Sequence, residues 1–104
     1  MTEMLRLCHE TAEGHKEYLE RQIQHYRTGI ERAVEIDEPY LALAHRLQEA
    51  SHQLNELNQL LTVMRAWIEL EIDPKEELVE VADRLECVLL GRRHGKRFDN
   101  TFIS

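Results

Sequence analysis

Between Tyr40 and Ile68 the apolar positions fall at Tyr40, Leu43, Leu47, Ala50, Leu54, Leu57, Leu61, Met64 and Ile68, in steps that alternate three and four throughout. That spacing holds nine side chains on one stripe of an α-helix, the seam of a coiled-coil-type packing. In the second half Leu60, Val63 and Trp67 widen the stripe, so this half is expected to meet two neighbours.

A similar stripe precedes it: Leu5, Cys8, Ala12, His15, Leu19, Ile23, Tyr26, Ile30 and Ala33, with one slip where steps of four flank Leu19. Gly14 and Gly29 interrupt this segment, each costing a helix about 1 kcal/mol relative to Ala. A bent or partly frayed first helix is therefore expected. A third, shorter stripe runs through Leu78, Val81, Ala82, Leu85, Val88 and Leu89.

Two sites carry strong punctuation. Asp37-Glu38-Pro39 and Asp73-Pro74-Lys75-Glu76 each set a capping Asp ahead of a Pro, and Glu76 has capping-box spacing from Asp73. These signals predict helices at about 2–36, 38–71 and 74–90, with Gly91 closing the last.

The expected fold class is all-α: an antiparallel hairpin of two long helices plus a shorter third helix, a three-helix bundle occupying residues 1–91 as one domain. At 1.5 Å per residue the long helices span roughly 50 Å and the third about 25 Å. The third helix then covers only the half of the hairpin nearest Trp67. The other half, around Ile30, Val34, Ile36, Tyr40, Leu41, Leu43 and Leu47, is left short of cover. A second copy of the chain is expected to complete this end as a homodimer, forming a larger helical bundle.

Composition supports the helical reading. Apolar residues make up 42% but aromatic ones only 6%, so the core is aliphatic, and 4 Gly with 2 Pro are too few for a turn-rich β architecture. Neither a signal-peptide pattern nor an apolar run long enough to span a membrane is visible, and Cys8 and Cys87 form no paired motif. A cytoplasmic protein with reduced thiols and no membrane contact is expected.

Charge divides the chain unevenly. The net charge is −7, yet the segment from Arg92 carries four cations against Asp99, a net +3 that leaves −10 on residues 1–91. The tail, residues 92–104, combines Arg92, Arg93, Lys96 and Arg97 with the apolar Phe98, Phe102 and Ile103. It is read as a contact segment, for the chain's own acidic body or a partner protein in preference to nucleic-acid phosphates.

Candidate chemistry is sparse. His45, Glu49 and His52 share one helix face at metal-ligand spacing, but they lie opposite the leucine seam, so no interior metal site is expected from them. Ala44-His45-Arg46-Leu47-Gln48-Glu49-Ala50-Ser51 resembles the phosphoacceptor motif of histidine phosphotransfer domains, which are helical bundles with an exposed His. That family places Lys and Gly three and four residues after the His. Here Gln48 and Glu49 stand there, and an anion beside the phosphoryl group is the wrong chemistry. Arg46 and His52 are similar to the Arg–His pair of HEPN-type helical ribonucleases, which operates across a dimer interface. No phosphate-binding Gly loop or nucleophile–base arrangement is present. His15 is expected at the core edge with a hydrogen bond, and Trp67 in the core between three helices, with a binding hot spot at its position as the alternative.

The function expected is that of a non-catalytic helical interaction factor that uses no cofactor and no metal: an adaptor, chaperone-like or inhibitory protein that binds a larger protein or occludes its nucleic-acid site. Its general make-up is similar to that of small phage-encoded inhibitors and secretion chaperones. The alternatives are a dimeric nucleic-acid-binding protein using the basic tail and, more remotely, a histidine-dependent helical enzyme or phosphotransfer module.

Overall fold

The computed structural model describes residues 2–91, which form three helices and, among the described residues, no strand: α1 (Thr2–Glu35), α2 (Leu41–Glu69) and α3 (Glu76–Leu89). All nine positions of the first stripe are buried or half-buried, and Gly14 and Gly29 do not break α1. The expected fraying is absent because packing along the whole stripe outweighs the propensity cost of two glycines.

Contacts along the hairpin set an antiparallel register. Arg65 of α2 donates to Glu13 Oε1 of α1 at 2.9 Å. Near the other end, a Cβ at Gly29 would lie 3.2 Å from Leu43 Cδ1, so this glycine lets the helices approach closely. α3 runs back along α2 from the Trp67 end, and Gly91, just past it, lies beside Gln53. It therefore stops near the middle of α2.

One core cluster results. α1 supplies Leu5, Ala12, Leu19 and Ile23; α2 supplies Ala50, Leu57, Leu60, Leu61 and Met64; α3 supplies Leu78, Val81, Leu85 and Val88. Leu57 and Met64 are fully enclosed. Toward the α1–α2 turn, beyond α3, the hairpin's inner face offers only Ala33 as a buried side chain, with Tyr26, Ile30, Leu43 and Leu47 half-buried.

The turns correct the sequence reading. Asp37 and Asp73 do not cap the helices that follow: the residues before α2 and α3 are Tyr40 and Lys75, and neither makes a side-chain capping bond. Asp37 instead ends α1. Its φ is 57°, its N–H donates to Val34 O at 3.3 Å, and Glu38 N–H donates to Ala33 O at 2.8 Å. This is the paired 6→1 and 5→2 pattern of a Schellman terminus. Glu71 ends α2 the same way, with φ 55° and bonds from Glu71 N to Ile68 O and from Ile72 N to Trp67 O. The helices therefore begin two to three residues later than expected. Pro39 follows the turn and biases Glu38 out of the α region. Pro74 is buried and tethers the start of α3 to the core.

Candidate interaction surface

The α1–α2 turn gathers exposed apolar side chains. Val34, Ile36, Tyr40 and Leu41 all lie open to solvent, Leu41 with 81% of its surface accessible. The α2–α3 turn exposes a pair, Leu70 and Ile72, and Met4, Leu7, Val79 and Leu90 lie open elsewhere on the helices and their ends. Among the described residues, four fall within so short a span of chain only at the α1–α2 turn. A further apolar recess of about 640 Å³ adjoins them, lined by Leu41, Ala42, His45 and Arg46.

The remaining members of the expected interface behave differently. Ile30, Leu43 and Leu47 are half-buried, and Leu47 packs against the core cluster, so these three serve the hairpin's own seam. Arg92, Arg93, Lys96, Arg97, Phe98 and Phe102 lie outside the described residues.

The polar candidates do not converge. His45 and His52 are exposed, and Glu49 is half-buried. Among the described residues no group of three or more His, Cys, Asp or Glu side chains is arranged to hold a metal ion. His45, Arg46 and Glu49 line a groove of about 320 Å³ between α1 and α2, with Tyr18 and Tyr26 opposite. His52 is not among its walls, so the structure does not bring Arg46 and His52 into one cavity.

His15 is half-buried as expected, stacked on Tyr18 with ring centroids 5.5 Å apart. The expected hydrogen bond is missing at Nε2, which is buried without a partner. Burial holds the imidazole below its usual range, favouring the neutral ring. Both cysteines are free thiols, Cys87 buried and Cys8 half-buried, and burial pushes Cys8 up, away from thiolate reactivity.

A second surface lies at Trp67, which the sequence reading put in the core and offered as a binding hot spot only in the alternative. Trp67 is half-buried, not enclosed, and Val63 is exposed. Both line a groove of about 290 Å³ between α2 and α3, floored also by Leu60 and Val81 and rimmed by Glu56, Glu77, Glu80 and Arg84. Of the three stripe-widening positions Leu60, Val63 and Trp67, Val63 lies farthest round α2 from the Leu57–Leu61–Met64 seam, so a third helix that seals Leu60 leaves it at the edge. The widening of the stripe signalled a neighbour there but not its crossing geometry.

Among the described residues no helix is long and apolar enough to cross a membrane. Compared with protein-family models, curated proteins and solved structures, the chain matches none of them.

Proposed function

We propose that this protein is a non-catalytic helical interaction factor that binds through the α1–α2 turn, first to a second copy of itself and then, as a dimer, to a larger protein. The observation that carries this reading is the exposure of Val34, Ile36, Tyr40 and Leu41 together at the end that α3 does not reach. Contiguous apolar surface of this kind is costly in water and marks a contact site. Two-fold pairing puts the same patch on both sides of the interface and completes a four-helix layer. The acidic body, −10 over residues 1–91, then suits a basic partner surface, including one that otherwise receives nucleic acid.

The test is the solution mass by size-exclusion chromatography with light scattering, on the native chain and on Leu41→Asp. The expected result is a dimer for the native chain and a folded monomer for the variant. Leu41 has little monomer contact to lose, so the variant keeps its helix content and thermal midpoint. A native chain that stays monomeric across the micromolar range sinks the reading.

A further inference from the structure

Gly91, with φ +73°, ends α3 beside Gln53, where a Cβ on it would lie 3.7 Å from Gln53 Nε2. Gln53 and Glu56 are neighbours on the same face of α2, three residues apart. Gln53 itself lines the α1–α2 groove at Tyr18 and Tyr26, so the chain leaves α3 at the edge of that groove and within one helical turn of the mouth of the α2–α3 groove. That groove has an apolar floor of Leu60, Val63, Trp67 and Val81. On its rim Arg84 is engaged by Glu80 at 3.3 Å, so Glu56 and Glu77 set its net negative charge.

We propose that the tail, residues 92–104, folds back into this groove, laying Arg92, Arg93, Lys96 and Arg97 along the acidic rim and seating Phe98 against Trp67. Three observations support one occupant. The first is reach. Trp67 lies fourteen residues beyond Gln53 on α2, about 21 Å at the helical rise. Phe98 lies seven residues beyond Gly91, about 23 Å of extended chain. The second is charge: the tail's net +3 meets a negative rim. The neighbouring groove at Tyr18 and Tyr26 holds Arg46 and His45 against Glu49 and has no such bias. The third is size, since an apolar cavity of about 150 Å³ already accepts a benzene ring, and this groove offers about 290 Å³. The tail is then a built-in ligand of the α2–α3 face, and any outside partner of that face must displace it.

Trp67 is the chain's only tryptophan, so its emission reports the groove in the full-length protein. The expected result is a red shift and stronger acrylamide quenching in Phe98→Ala, and a smaller shift in the same direction in molar salt. Glu77→Arg, which alters only an exposed rim residue, should reproduce the red shift with unchanged circular dichroism. Identical emission and quenching in the native chain, Phe98→Ala and Glu77→Arg overturns the proposal. A red shift of the native chain on dilution to nanomolar concentration also overturns it, because it assigns the groove to a second chain's tail. None of these readouts involves Leu41, so the outcome is independent of the dimer test.

Discussion

The two halves of the α1–α2 hairpin share one seam pattern and differ in what covers them. Near Trp67 a third helix closes the layer, and Leu57, Leu61 and Met64 are almost wholly withdrawn from water. Near Tyr40 the same heptad positions, Leu43 and Leu47, remain half-exposed between two helices. A heptad seam thus specifies that two helices meet, but the depth of burial comes from the third body. The deepest packing is in one half, and the most exposed large apolar side chain among the described residues, Leu41, stands in the other.

The sharpest way to break that comparison is to truncate one seam leucine in each half. Leu57→Ala should cost about 3 kcal/mol or more, as for an enclosed leucine, the larger values following if the cavity does not collapse. Leu47→Ala should cost about 1 kcal/mol, because water already reaches part of the side chain. Equal losses in urea melts would mean that the two halves are equally covered in solution.

The glycines offer a gentler contrast. A Cβ at Gly14 meets nothing within 4 Å. Gly14→Ala should therefore stabilise by about 1 kcal/mol through helix propensity and reduced unfolded-state entropy. Gly29→Ala should stabilise less, since Leu43 must yield to a contact of 3.2 Å. A thermal midpoint for Gly29→Ala at or above that of Gly14→Ala would mean the open half is looser than its packing indicates.

Replacing the left-handed residues by glycine should add stability by about 0.5 kcal/mol each in Asp37→Gly and Glu71→Gly, because glycine adopts positive φ without a Cβ clash. The gain should be similar at both turns, since both use the same backbone bonds. A loss in either variant would show that the side chain contributes to the turn.

The smallest effect is a pH slope confined to the covered half. Burial lowers the folded-state value of His15, so the group favours folding when neutral. Its contribution is complete above the unfolded value of about 6.5 and is lost as pH falls from there through the lower folded value. Chemical denaturation should show stability declining as pH falls below about 6.5, and His15→Phe should flatten that segment. Glu13, held down chiefly by its hydrogen bond from Arg65, acts in a separate and more acidic window. Its stabilising share is present above its unfolded value and is lost as pH falls through its folded one.

The stripes were legible in the sequence where period and burial coincide: every first-stripe position from Leu5 to Ala33 faces inward, while Tyr40, just before α2, and Leu89, at the end of α3, are exposed and Cys87 is buried instead. The helix starts were not. Asp-x-Pro and Asp-Pro are consistent both with capping the next helix and with leaving the previous one, and local sequence does not decide which use the backbone makes of them. At Asp37 the tie is broken by the bonds back to Ala33 and Val34. The exposed cluster at the turn was visible from helix lengths, since the third stripe is too short to reach it. The Trp67 groove was not visible, because a wide apolar stripe tells how many neighbours a helix has but not how tightly they close.

The left-handed Asp37 also bears on how the open end meets another molecule. A non-glycine residue held at positive φ stores roughly 1 kcal/mol that its relaxed conformer does not carry. Such a difference is about fivefold in population. At Asp37 that cost is offset by the bonds back to Val34 and Ala33, which pin the linker where Ile36, Tyr40 and Leu41 stand exposed. A contact made there would find its footing already ordered, with little left to immobilise on binding.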